Sequence, residues 1–235
     1  MHRPRKLCLK CLRPLKACFC KYLMSFNTRT KFCFLMHPLE AKRSQIGTGR
    51  LAHLALDNSL LIIDKDFDSN KIFNDILNDD HYEHFLLYPT KTPVKLEATA
   101  KSASQMCIFI LDGTWPCAKS MMRDTTKLHN LPKIMFQAPN RSQFEIKQQP
   151  ANYCLSTIES TKAILANLNE LNIEDLHQTK LNSLDIAFKK MVKFHKDLAS
   201  DPTSNNYERL SSRPKPQSLK TPALKWKKRK IFFDQ

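Results

Sequence analysis

Asp112-Gly113-Thr114-Trp115 places a carboxylate, a hydroxyl and an aromatic plane on one turn. Asp112 can accept a proton, Thr114 can orient a polar substrate, and Trp115 can stack on a base or pack beneath one. The same four residues also suit a plain structural turn, an Asp at a helix start followed by a core Trp. Residue types alone leave both readings open. A second polar cluster runs from His37-Pro38 through Glu40 and Arg43 to Ile46-Gly47-Thr48-Gly49-Arg50. His37 can serve a site or simply close a strand, and the two arginines can hold a phosphate or carboxylate or face solvent.

The third constellation is Cys8-x2-Cys11-x6-Cys18-x-Cys20. Four thiolates within thirteen residues can close a tetrahedral zinc shell. A segment this short and basic cannot bury a core of its own, so metal binding would supply its folding energy. With all four positions filled by protein, the expected role is structural, not catalytic. A redox Cys-x-x-Cys is the competing reading, but it calls for a thioredoxin-like βαβ unit, which the flanking sequence lacks. Cys33, Cys107 and Cys154 lie in apolar stretches and read as core residues, and Cys117 as local packing.

Glycine is scarce. Ordinary usage would give roughly 16 in a chain of this length, and there are three: Gly47, Gly49 and Gly113. Each is expected where a Cβ is not tolerated, through positive φ or close approach of backbone to a ligand. Their clustering in two short segments points to one shared site.

The elements that must position these groups follow from hydrophobic spacing. Short strands are expected at 32–36, 60–63, 85–88, 106–111 and 134–137. Helices are expected at 50–56, 71–77 and 115–128. Ser156-Thr157-Ile158-Glu159 matches a capping box that opens a helix to about Leu171, and an amphipathic helix fits 173–199. Strands alternating with helices argue for a three-layer α/β domain over 30–200 with a largely parallel sheet. In such sheets ligands bind beyond the carboxyl ends of the strands, and Asp112 stands at the end of the most apolar one. The cysteine-rich module occupies 1–24, and a polar, Pro-rich arm, expected to be mobile, occupies 203–235. Neither G-x-G-x-x-G nor a Walker A sequence is present, which argues against a Rossmann dinucleotide site.

Charge separates these parts. The net charge is +16, divided as +9 over residues 1–31, zero over 32–206 and +7 over 207–235. A neutral body flanked by basic arms points to a polyanionic partner, nucleic acid before others. No apolar run approaches the ~20 residues that span a bilayer. The basic start has no apolar stretch behind it, so a cytoplasmic protein is expected, with no membrane association and no evident need for a protein partner. Cysteines in that compartment are thiols or metal ligands.

Taken in order, the segments resemble the DTW-domain family of tRNA-uridine aminocarboxypropyltransferases. The likeness covers about 8–195. It rests on the cysteine cluster, Met36-His37-Pro38-x-Glu40, Thr48-Gly49-Arg50-Leu51, Leu87-Tyr88-Pro89, Leu111-Asp112-Gly113-Thr114-Trp115, Leu131-Pro132 and Leu155-Ser156-Thr157-Ile158-Glu159. One departure is visible: Phe144-Glu145-Ile146-Lys147 stands where the family tends to show an aromatic-x-Leu-Arg element, and a lysine lacks the bidentate fork. The resemblance implies a SPOUT-like fold, which admits a knot, and S-adenosylmethionine as donor. It implies transfer of the 3-amino-3-carboxypropyl group to N3 of a tRNA uridine, with 5′-methylthioadenosine released. On that reading Asp112 is the candidate base, with Thr114 and Trp115 beside it. His37, Gly47, Thr48, Gly49, Leu111, Gly113, Leu155, Ser156 and Thr157 shape the cofactor pocket. An RNA methyltransferase and a non-enzymatic zinc RNA-binding adaptor are the two rivals.

Overall fold

The computed structural model describes residues 6–42, 47–99, 105–136, 142–144 and 154–201. Arg43, Glu145 to Lys147 and the C-terminal arm therefore lie outside the described residues. Five strands form one sheet: β1 (Lys31–Met36), β2 (Ser59–Ile63), β3 (Tyr82–Leu87), β4 (Gln105–Asp112) and β5 (Lys133–Ile134). Their order is β2-β1-β4-β3-β5 and every neighbouring pair is parallel. The helices are α1 (Pro38–Lys42), α2 (Thr48–Ala55), α3 (Lys71–Leu77), α4 (Leu96–Thr99), α5 (Trp115–Asp124), α6 (Lys127–Asn130), α7 (Thr157–Glu170) and α8 (Gln178–Ser200).

Side-chain alternation along the central strands builds two cores. Phe32, Phe34, Ile108 and Ile110 point to one face, where they pack with Leu51 of α2, Ile164 and Leu168 of α7, and Leu184 and Phe188 of α8. Cys33, Leu35, Cys107 and Phe109 point to the other, with Phe73 of α3, Met121 of α5 and Leu128 of α6. Strands covered on both faces read as unbroken apolar runs, as β1 and β4 do. The three layers and parallel sheet match the expectation.

The two central strands matter most for position. The chain leaves β1 for α2 on the first face and leaves β4 for α5 on the second. Adjacent parallel strands whose following helices go to opposite faces open a crevice at their carboxyl ends. Met36 and Asp112 are register partners there.

Four boundaries differ from the sequence reading by three residues or more; β3, expected from 85, begins at Tyr82. The helix expected over 115–128 breaks at Thr125. The buried Thr125 hydroxyl accepts the Phe67 amide at 3.0 Å, and the Asp68 carboxylate accepts the amides of Thr126 and Lys127 at 2.8 and 3.0 Å. Tertiary acceptors thus capture groups that a continuous helix would have used. The helix expected from 173 begins at Gln178. Glu174 is drawn away to the amides of Arg29 and Thr30, and Asn169 takes the Leu176 amide. β5 ends at Ile134, short of the expected 137. Among the described residues no helix is long and apolar enough to cross a membrane.

Residues 6–24 pack onto the first face. Phe19 is buried and stands edge-on to Phe194 of α8 at 5.7 Å, and Lys190 of α8 lies over the Tyr22 ring at 5.6 Å.

Candidate active site and metal centre

At the crevice, Asp112 is 2% exposed and touches three segments distant in sequence. Its carbonyl accepts the His37 amide at 2.9 Å, tying the residue after β1 to the end of β4. Its Oδ1 accepts the Thr157 hydroxyl at 2.5 Å. Its carboxylate also lies against the backbone of Gly49: a Cβ there would fall 2.4 Å from Asp112 Cγ and 2.5 and 2.7 Å from its oxygens. Thr157 is the first residue of α7 and Gly49 the second of α2. The carboxylate therefore sits between two helix starts, where unpaired amides and the helix dipoles favour negative charge.

The glycine expectation is corrected in part. None of the three has positive φ. Gly49 is required by a side chain of the protein itself. Gly113 packs close to Cys117 and His37, with a Cβ 3.1 and 3.4 Å from theirs. Gly47 has room, its nearest contact being 3.8 Å.

His37 is 7% exposed, and its Nδ1 accepts the Leu39 amide at 3.1 Å. That bond assigns the ring proton to Nε2. Burial first, then Lys65, pushes the imidazole pKa down, with Glu40 and Asp124 pulling the other way. His37 is thus a neutral donor at physiological pH. Thr114 donates its hydroxyl to Cys117 Sγ at 3.1 Å, a partner three residues on that the sequence reading took for packing. Trp115 is half-buried and opens α5; Leu111 and Leu155 are also half-buried.

Ser156 forms the expected capping box with Glu159. Its amide and hydroxyl both go to Glu159 Oε2, at 2.9 and 2.6 Å. Glu159 also accepts the Ser142 hydroxyl and the Gln143 amide, each at 2.7 Å. Ser156 is therefore engaged in shaping the helix start. Thr48 is buried at the start of α2. The structure thus gathers His37, Gly49, Gly113 and Thr157 directly around Asp112, with Thr48, Leu111, Thr114 and Ser156 as chain neighbours of that set.

The cysteine cluster passes a geometric test for a metal. The sulfurs of Cys8, Cys11, Cys18 and Cys20 all lie within 4.8 Å of one another, and Cys8 and Cys20 are 3.9 Å apart. Zinc–sulfur bonds near 2.3 Å in a tetrahedron need edges of ~3.8 Å. Backbone amides of Cys11 and Lys10 aimed at Cys8 bring its thiol down to about 6. Burial pushes the thiols of Cys11 and Cys20 up. A crowded sulfur set of this kind suits a soft divalent cation. The turn is closed by Leu12 N–H to Cys8 O at 2.8 Å and Cys8 N–H to Arg13 O at 2.7 Å.

One residue of this module escaped the sequence reading. Arg13 is 1% exposed, lies over the Phe19 ring at 5.5 Å, and donates from Nη2 to the Gly47 carbonyl at 3.2 Å. In sequence it is one of nine basic residues near the N-terminus, with nothing to mark it as buried.

The DTW domain model matches residues 5–196. A tRNA-uridine aminocarboxypropyltransferase 2 of Drosophila melanogaster is 32% identical over 185 residues, covering 77% of this chain and 72% of that protein. Proteins of the same name from Mus musculus and Macaca fascicularis are 29% and 27% identical. Each of those matches covers 72% of this chain, which spans only 58% of the relative's length. No solved structure matches the chain.

Proposed function

Since the chain belongs to the DTW-domain family, we propose that it transfers the 3-amino-3-carboxypropyl group of S-adenosylmethionine to N3 of a uridine in tRNA, releasing 5′-methylthioadenosine. The observation that carries this reading to particular residues is the convergence of three motif segments on Asp112 at the crevice between β1 and β4.

S-adenosylmethionine supplies a sulfonium leaving group, so the protein's task is mainly to place uridine N3 in line with the carbon being attacked. His37 offers Nε2–H as a neutral donor at the crevice. Trp115, half-buried at the start of α5, offers a plane for stacking. Gly47, Thr48, Gly49, Leu111, Gly113, Leu155, Ser156 and Thr157 form the pocket wall in this reading, with Ser156 acting through its cap. Asp112 is the candidate to take the N3 proton. Its 2% exposure and its contact with two helix starts favour a second role, a positioning residue that pins α2 to α7. Asp112→Asn separates the two, because the amide keeps the shape and loses the charge. Loss of a general base costs about 10²–10⁴ in rate. Turnover within about tenfold of wild type would leave only the positioning role.

The four cysteines, in this reading, hold a structural zinc, and the module together with the lysines of α8 grips tRNA phosphates. The parallel order β2-β1-β4-β3-β5, with the site at the ends of its central strands, supports a SPOUT-like fold. A cytoplasmic location completes the proposal. The experiment is mass analysis of nucleosides and small products after tRNA is incubated with the protein and S-adenosylmethionine. The expected products are acp3-uridine and methylthioadenosine. Adenosylhomocysteine would point to the methyltransferase, and tRNA binding with no turnover to the adaptor.

A further inference from the structure

Arg13 is a buried guanidinium with one hydrogen-bond partner among the described residues. Nη2 reaches the Gly47 carbonyl, while Nε and Nη1 are buried with no hydrogen-bond partner among the described residues. Unpaired buried nitrogens on a fixed positive charge are costly unless a negative group stands close. Among the described residues no carboxylate is hydrogen-bonded or ion-paired to the guanidinium. Arg13's own carbonyl accepts the Cys8 amide at 2.7 Å, so Arg13 closes the turn that carries the sulfurs while its side chain reaches Gly47. Four thiolates around one Zn²⁺ carry a net charge of about −2, which attracts a guanidinium, whereas neutral thiols do not. On the other side of Arg13, Gly47 is the cap of α2, two residues before the Gly49 that lies against Asp112.

We propose that Arg13 is a positioning residue that couples the metal centre to the start of α2. The thiolate cluster holds its charge in place, and its bond to Gly47 holds the helix end that packs on Asp112. This rests on the zinc reading above. Filling the cysteine cluster then tightens a wall of the candidate pocket, although none of the cysteines is placed in that wall. The module would act on the site through one side chain.

The test uses the full chain and Zn²⁺ alone as probe, so it does not depend on S-adenosylmethionine or tRNA. Zn²⁺ affinity is measured by competition with a chromophoric chelator, and amide hydrogen exchange is followed at 52–56 in and just after α2. In the wild type, removing Zn²⁺ is expected to speed exchange there by about tenfold, the ordinary size of coupling between linked sites. Arg13→Met keeps length and apolar bulk and removes the charge. It is expected to weaken Zn²⁺ binding by about tenfold and to leave α2 fast-exchanging whether or not Zn²⁺ is present. A merely structural arginine would shift exchange equally in both states. The inference is overturned if the wild type binds Zn²⁺ and α2 exchange does not respond, or if Arg13→Met keeps the wild-type response. A wild type that takes up no Zn²⁺ overturns the metal reading and the coupling with it. The wild-type arm needs no variant, so a variant that fails to fold leaves the test standing.

Discussion

The Asp112 cluster and the cysteine cluster are both dense and polar, yet they are assembled in opposite ways. Asp112 draws its neighbours from residues 37, 49 and 157, each at the end of an element that packs into a core on one face of the sheet or the other. The cysteines come from thirteen consecutive residues in short turns, where Cys11, Arg13 and Phe19 are buried but Leu7, Leu9, Leu12 and Leu15 around them are exposed. The first site is held by the fold. The second, on the zinc reading proposed above, is held chiefly by what it binds. That contrast teaches where each is vulnerable, and the largest expected effect falls on the module. Cys11 is fully buried at its centre. Cys11→Ser, or chelation of the wild type, should remove a contribution that for structural zinc is about 10 kcal/mol or more. Rapid proteolytic cleavage within the first 24 residues is the expected readout, with a cooperative unfolding transition for the sheet domain retained. A single transition that disappears together with the metal would erase the contrast.

The next effect strikes the other side. Gly49→Ala places a methyl group inside the space of the Asp112 carboxylate, and overpacking of that kind costs about 1–3 kcal/mol. Gly47→Ala meets nothing closer than 3.8 Å and should stay within about 0.5 kcal/mol of wild type. Urea unfolding of the pair checks this, and equal losses would mean that contact with Asp112 is not what demands glycine at 49. Thr157→Val belongs to the same region. It leaves a buried carboxylate oxygen one donor short, at about 1–3 kcal/mol. A Thr157→Val protein as stable as wild type would show that the hydroxyl contributes nothing to the clamp.

Legibility follows the same division. The cysteine spacing is local, and the sulfurs meet as the spacing predicts. β1 and β4 are buried on both faces, so their apolar runs mark them almost residue for residue. The capping box at Ser156 is likewise a short-range pattern. What stayed hidden is pairing across distance. Gly49, Asp112 and Thr157 were each visible as candidates, but only the three-layer packing brings them within contact. The break at Thr125 depends on Phe67 and Asp68, nearly 60 residues earlier. Arg13 looks like any other lysine or arginine of the basic start until the Gly47 carbonyl and the Phe19 ring close around it.

Acid should weaken the fold-held region in its own way. Burial lowers the pKa of His37, His53 and His84. Each binds its proton less readily folded than unfolded, so the unfolded chain takes up more protons as pH falls through about 6.5. Stability is then complete above that value and declines below it. The urea midpoint should drop between pH 7.5 and pH 5.5. Acid also strips metal from thiolates, so the change that isolates a histidine is His84→Phe. Its ring stacks near Phe109 at 6.1 Å, and its Nε2 is buried without a partner among the described residues. That variant should show a shallower decline, and an unchanged slope would remove His84 from the account.

The smallest effect compares two residues with left-handed backbone, one in each region. Leu12 has φ 57° in the cysteine turn, and Asn172 has φ 58° between α7 and α8. The left-handed region costs an ordinary L-residue roughly 1–2 kcal/mol, while asparagine visits it more readily. Leu12 is 55% exposed, so little packing is lost when its side chain is removed. Its amide bond to the Cys8 carbonyl does not depend on the side chain either. Leu12→Gly should therefore relax the turn, offset by the glycine's greater freedom when unfolded, about 0.5–1 kcal/mol. On the zinc reading proposed above, the gain should appear as Zn²⁺ affinity, a few-fold tighter by chelator competition and under about 1 kcal/mol. Asn172→Gly starts from a residue already suited to its conformation, so the sheet domain should gain nothing measurable in urea. If Leu12→Gly raises the urea midpoint of the sheet domain and leaves Zn²⁺ affinity alone, the cysteine turn is ordered by the fold behind it, and the two regions are held in the same way.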